Sequence, residues 1–310
     1  MQGFQKVVGH QEIITHLQNA ISMNKVSHAY LFGGESGSGK KMMASLFAMT
    51  LQCEKHGVEP CMECPSCKKA QSQNHPDIIY VKHEKPNTIS IDEIREQLIN
   101  DVMIKPYSSP YKIYIIDEAQ KLTLQAQNAL LKTIEEPPAY AVVMLLADNP
   151  DALLPTISSR CVQLNLKPVG DQLVKDYLMN EMHVPDYQAE VDASLAQGNI
   201  GKAERIARSP EYEETLENAL RMAKYADSMP LYEIVETIKK LTAEKDNIDD
   251  YFDIFSLWFR DVLLFKATKE VDSLVFKQEL NGIRERSSKS SYVGLEKIRE
   301  AIQKARARLN

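Results

Sequence analysis

The sequence predicts an α/β domain built on a parallel sheet, followed by a small helical domain and an all-helical C-terminal domain. Three observations carry this reading. Short apolar runs alternate with helix-periodic segments over residues 1–165, a glycine-rich loop follows the first of those runs directly, and past Pro168 the strand signal disappears. A length of 310 residues argues against a single small fold.

The elements follow in order. Ile13, Leu17, Ala20 and Ile21 recur at helical spacing. The runs Ala29 to Phe32, Ile78 to Val81, Lys112 to Ile116 and Val142 to Ala147 are rich in Ile, Val and Tyr, as strands buried on both faces of a parallel sheet are. Between the last two, Ala126, Leu130 and Ile134 stand four apart over Thr123 to Ile134, and the helix they define stops at Glu136-Pro137-Pro138, because proline cannot continue it. The α/β domain thus covers residues 1–165. A short helical region broken by Gly198 and Gly201 occupies residues 166–208. Ser209-Pro210 then offers an N-cap with proline at the first helical position, opening an all-helical domain over residues 209–310. In it Tyr212, Leu216, Ala219, Leu220 and Ala223 form one apolar face, Ile254 to Phe265 with Trp258 and Phe259 reads as a buried helix, and Leu295, Ile298, Ile302, Ala305 and Leu309 form a closing amphipathic one.

Composition excludes several classes. Apolar residues at 44% and charged residues at 26% are ordinary globular usage, which rules out a disordered or fibrous chain. The longest uninterrupted apolar stretch, Ala139 to Ala147, falls far short of the roughly 20 residues a membrane helix needs. The opening MQGFQKVVGHQ has no apolar signal core, so a cytoplasmic address is expected, with no membrane partner. The net charge of −6 leaves no strongly basic face for gripping DNA alone, although the last thirty residues are locally basic, as the solvated side of a helix can be.

Two motifs carry chemistry. Gly33-Gly34-Glu35-Ser36-Gly37-Ser38-Gly39-Lys40-Lys41 lies between a strand and a helix, so it satisfies most of the P-loop pattern: Gly34, Gly37 and Gly39 let backbone N–H groups turn inward around phosphates, and Lys40 can reach the terminal ones. The hydroxyl residue that would ligate magnesium is replaced by Lys41. Asp117 and Glu118 end the central strand, where one would hold magnesium and the other polarise water. With Lys41 in the loop these carboxylates read as remnants, and whether ATP or ADP occupies the site stays open.

The second motif is Cys53-x7-Cys61-x2-Cys64-x2-Cys67. Four thiolates can close a tetrahedral shell around a structural Zn2+, and a chain without an export signal favours metal over disulfides. Zinc is read ahead of an iron–sulfur cluster because no fourth cysteine followed by proline lies three residues beyond Cys67. His56 and His75 are expected to be surface loop residues, and Cys161 a packing residue.

Taken together, these features resemble the AAA+ clamp-loader subunits of bacterial DNA polymerase III. The matching residues are Val8-Gly9-His10, Ser27-His28-Ala29-Tyr30-Leu31-Phe32, the four-cysteine insert, Asp117-Glu118-Ala119, Asn128 to Pro138 and Ser159-Arg160-Cys161. Within that family the chain looks like delta-prime rather than the ATP-hydrolysing tau/gamma subunit. Lys41 replaces the loop hydroxyl, Asp148-Asn149 puts an acid in the sensor-like loop, Gly201 stands where an ATP-sensing arginine is expected, and the sequence ends at the collar. The resemblance implies a lid domain over residues 166–208 and a collar over residues 209–310. It implies a non-hydrolysing subunit that helps load the sliding clamp onto primer-template DNA, with tau/gamma and delta subunits as partners. Arg160 would then serve in trans as an arginine finger to a neighbouring ATP site. The rival readings are an active ATP-hydrolysing motor and a zinc-centred DNA-binding module.

Overall fold

Five strands form one all-parallel sheet in the computed structural model of the chain, which describes residues 3–225, 229–243 and 248–309. Two compact units divide those residues. The first holds residues up to Val169 together with Asn199–Gly201, and the second holds Gly170–Gly198 and the residues from Lys202 onward.

In the first unit the order is α1 (Gln11–Ser22), β1 (Ala29–Gly33), α2 (Lys40–Leu51), α3 (Pro65–Gln71), β2 (Ile78–Val81), α4 (Ile91–Ile94), β3 (Lys112–Ile116), α5 (Leu124–Glu135), β4 (Ala141–Ala147), α6 (Pro155–Ser158) and β5 (Val162–Asn165). The sheet order is β2-β3-β4-β1-β5, the parallel P-loop arrangement expected. β1 lies between β4 and the edge strand β5, with Ala29 opposite Val143 on one side and Tyr30 opposite Val162 on the other. Every residue of β1, β3 and β4 is buried, because helices cover both faces. Met43 and Phe47 of α2 pack on one face, Leu130 and Ile134 of α5 on the other. β5 is the strand that sequence periodicity missed, since only Leu164 of its four residues is buried.

Local signals set the helix starts. Thr123 caps α5 by accepting from the Ala126 N–H at 3.3 Å. Ser90 and Glu93 form a reciprocal capping box on α4, which runs on into a π turn over Arg95–Ile99.

The second unit is all helical: α7 (Asp171–Met182), α8 (Asp186–Ala196), α9 (Ile200–Arg208, whose first residues belong to the first unit), α10 (Pro210–Tyr225), α11 (Leu231–Ala243), α12 (Ile248–Thr268), α13 (Leu280–Lys289) and α14 (Tyr292–Leu309). Ser209 caps α10 as expected, its hydroxyl accepting from the Tyr212 N–H at 3.3 Å. Gln197 caps the end of α8 with a left-handed φ of 52° and Gly198 follows with a φ of 80°, whereas Gly201, expected as a breaker, sits inside the first turn of α9. α12 buries Ile254, Leu257, Trp258, Val262 and Phe265, so Trp258 belongs to this unit's own core, 6.2 Å from the Phe276 ring. Asp261, fully buried on the same helix, accepts from the Val275 and Phe276 N–H groups and pins the following turn. The side chain of Leu309, last in the closing apolar row, lies outside the described residues.

Candidate nucleotide loop and metal centre

The loop between β1 and α2 wraps the end of the sheet next to the point where the strand order reverses, where ligands of open α/β sheets bind. Gly39 caps α2 in a left-handed conformation with φ of 96°. Gly37 (φ 84°) and Gly201 approach so closely that a Cβ on Gly201 would stand 2.7 Å from the Gly37 Cα and 2.8 Å from its carbonyl oxygen. The close approach is held by hydrogen bonds from the Gly201 N–H to the Gly37 oxygen at 2.9 Å and from Asn199 Nδ2 to the Ser36 oxygen at 2.7 Å. No side chain fits between them, which explains glycine inside a helix.

Lys40 is buried, and its Nζ donates to the Gly34 oxygen at 2.7 Å, the Glu35 oxygen at 2.8 Å and Asp148 Oδ1 at 2.7 Å. An ammonium has three donors, so the chain itself saturates the group that would reach for phosphate. Gln120 fixes Asp148 in turn, accepting from its N–H at 3.1 Å and donating to Oδ2 at 3.3 Å.

Lys41 Nζ lies 3.0 Å from Asp117 Oδ2, which puts a cation on the carboxylate that would otherwise hold magnesium. Glu118 is held by Lys121 at 2.6 Å and approached by His83 Nε2 at 3.3 Å. Together Gly37, Gly39, Lys40, Lys41, Asp117, Glu118 and Asp148 line a cleft of about 350 Å³. All the predicted loop residues except Gly34 therefore converge on it. His10 stands beside the loop, hydrogen-bonded to the backbone of Ser38, and burial lowers its pKa.

The four cysteines also converge. Their sulfurs lie within 4.8 Å of one another, with Cys61 and Cys67 Sγ 3.9 Å apart. A tetrahedral metal–thiolate shell with bonds near 2.3 Å has an edge of about 3.8 Å, so the set fits a metal ion, while a disulfide needs sulfurs about 2.0 Å apart. Backbone N–H groups point at the sulfurs: Cys64 N at Cys61 Sγ (3.4 Å), Cys67 N at Cys64 Sγ (3.3 Å) and Cys61 N at Cys53 Sγ (3.5 Å). Backbone donors from Glu63 and Cys64 bring the Cys61 thiol down to about 6, while burial pushes Cys67 up. Cys64 is also the N-cap of α3, with Pro65 behind it, so the second CxxC step is the first turn of a helix.

His75 corrects one expectation. It is 4% exposed, and its Nδ1 accepts from the Asp77 N–H at 3.1 Å, which leaves Nε2 to donate to Ser66 Oγ at 3.0 Å. Ser66 donates onward to the Gln52 oxygen at 2.6 Å, so residues flanking Cys53 and Cys67 are tied to the start of β2. Sequence reading missed Gln52, Ser66 and Asp77 because single polar residues beside a ligand carry no spacing signal. His56 is exposed, and Cys161 packs partly buried, its thiol pushed up to about 11 by burial. Arg160, half-exposed, stands apart from both sites, donating to the Thr156 oxygen at 2.9 Å and pairing with Glu135 at 3.0 Å.

The family model described as DNA polymerase III, delta subunit, matches residues 9–170. The delta-prime subunit of DNA polymerase III from Bacillus subtilis is 30% identical over 298 residues, which cover 95% of this chain and 89% of that protein. The tau subunit from the same organism is 31% identical over 303 residues, covering 90% of this chain but 53% of that protein. The tau/gamma subunit of Haemophilus influenzae is 39% identical over 204 residues, 64% of this chain and 29% of that protein. The chain therefore spans about half or less of the tau relatives and most of delta-prime. With a P-loop lysine saturated by its own chain and a four-cysteine insert behind the loop helix, it belongs to the DNA polymerase III clamp-loader subunit family, and within that family it is most like delta-prime.

Proposed function

We propose that the chain is a non-hydrolysing, delta-prime-like subunit of a cytoplasmic clamp loader, acting with tau/gamma and delta subunits to place a sliding clamp on primer-template DNA. One observation carries the reading: Lys40 spends all three donors on Gly34, Glu35 and Asp148, and Lys41 occupies Asp117. Phosphate would have to displace Asp148 and two carbonyls from the buried lysine, and Lys41 stands where the magnesium-binding hydroxyl would be. This weighs against the rival motor reading. The net charge of −6 weighs against a free-standing DNA-binding module, so DNA is met through the assembly.

In this reading residues 166–208 serve as lid and residues 209–310 as collar, and the cysteine cluster holds a structural Zn2+ with no ligand position left for substrate. Arg160 supplies a guanidinium to the ATP site of a neighbouring subunit. Its half-exposed pair with Glu135 is of the kind worth only about 0–1 kcal/mol, so changing partner costs little.

The test is ATP turnover by the isolated chain and by the complex reconstituted with tau/gamma and delta. The isolated chain is expected to be inactive and the complex active, with Arg160→Ala lowering the activity of the complex while leaving its assembly intact. Robust hydrolysis by the isolated chain overturns the non-hydrolysing reading, and undiminished activity with Arg160→Ala overturns the finger.

A further inference from the structure

The second unit contains a cleft of about 730 Å³ that none of this accounts for. It opens among the end of α7, α8, α9 and α10. Ile206, Leu216 and Leu220 give it apolar walls, and its size suits a small molecule. Two buried polar groups line it with hydrogen-bonding capacity unspent.

Asp192, 1% exposed, accepts from Gln188 Nε2 at 2.8 Å through Oδ1, while Oδ2 has no partner among the described residues. Tyr212, 4% exposed, has a hydroxyl that is likewise unpartnered. Buried polar atoms in native proteins are almost always satisfied, and a carboxylate taken out of water without a counter-charge is costly. The neighbouring cation does not supply one: Arg205 lies over the Tyr212 ring at 5.8 Å but gives its two terminal nitrogens, Nη1 and Nη2, to Asp250, at 2.7 and 2.6 Å.

The missing partner is therefore a cation with hydrogen-bond donors. Glu213 and Glu217, one turn apart on α10, add negative charge around the cleft; Arg208, also on its lining, opposes them, and Lys224, which is not on the lining, neutralises Glu279. The three apolar wall residues call for methylenes behind the charged head.

We propose that this cleft binds a small aliphatic diamine, one ammonium donating to Asp192 Oδ2 and Tyr212 Oη, the methylene stem lying on Ile206, Leu216 and Leu220, and the second ammonium facing Glu213 and Glu217. The carboxylate's burial, which raises Asp192 to about 6, accords with a group waiting for a counter-ion.

Calorimetric titration of the full chain at neutral pH with 1,4-diaminobutane, n-butylamine and 1-butanol tests this. Saturable one-to-one binding of the diamine, weaker binding of the monoamine and none of the alcohol are expected. Asp192→Asn, which keeps the Gln188 contact and removes a buried charge, is expected to weaken diamine binding at least about tenfold, as loss of a hydrogen bond to a charged group does. Tyr212→Phe, a second variant that leaves the carboxylate in place, is expected to weaken it several-fold. Absence of saturable amine binding, equal binding of the alcohol, or undiminished binding by both variants overturns the proposal.

Discussion

Replacing Lys40 by methionine and Asp148 by asparagine, singly and together, measures how firmly the phosphate loop is held by its own chain. The Lys40 side chain is 8% exposed and Asp148 42% exposed, at 2.7 Å. A hydrogen bond to a charged group contributes about 1.5–3 kcal/mol, and the exposure of Asp148 brings the pair to the lower end, about 1–2 kcal/mol. Each single variant is expected to lose about that much, and the double variant less than their sum, with a coupling of about 1 kcal/mol. Trp258, the one tryptophan of the sequence, lies in the second unit, so its fluorescence does not report on the loop. Hydrogen exchange of the α2 amides in the four proteins does. A coupling under about 0.3 kcal/mol, together with ATP binding that Lys40→Met abolishes, would refute the conclusion that Lys40 is committed to Asp148.

Three further outcomes are expected. Gly201→Ala gains helix propensity of about 1 kcal/mol but drives a methyl into the Gly37 backbone, so a net loss of about 1–2 kcal/mol is expected in urea unfolding, and a gain would disprove the close approach. Chelation of a metal from the cysteine cluster is expected to lower the first unit's thermal midpoint by on the order of 10 °C and to expose the thiols to alkylation, checked by calorimetry and elemental analysis before and after. Burial raises Asp192 from 3.8 to about 6, so the native state binds its proton more tightly than the unfolded one. The resulting stability is present below about pH 4 and lost as pH rises through about 6, on the order of 3 kcal/mol, and unfolding of Asp192→Asn over that range should lack this slope.

The strands of the sheet core and both motifs were legible in the sequence because their signals are periodic or spaced. Ile113 to Ile116 and Val142 to Ala147 are apolar throughout since helices cover both faces, and the two CxxC steps fix their own geometry. β5 was illegible because Gln163 and Asn165 face solvent. Asp148 was read as an acid in the sensor-like loop, but its partner could not be seen, because Lys40 lies 108 residues away and only the sheet joins them. Gly201 misled for a related reason: its cause is the Gly37 backbone, not the local chain, and a glycine needed for close approach looks in sequence like a glycine that ends a helix. Asp192 and Tyr212 resemble ordinary helix residues until the helices pack.

The place of β1 between β4 and β5 also bears on how the chain is made. Ala29 pairs with Val143, and Tyr30 with Val162, so the strand that carries the phosphate loop is synthesised long before either neighbour exists. At a ribosomal rate of about 5–20 residues per second, β1 leaves the tunnel about 6–25 seconds ahead of the strands that flank it. Through that interval β2 and β3, adjacent in both sequence and sheet, can pair first, while the apolar Ala29–Gly33 segment waits without a partner. Nascent-chain stalling before residue 141 should therefore yield a species that binds chaperones through its earliest strand, and release beyond residue 165 should end that binding.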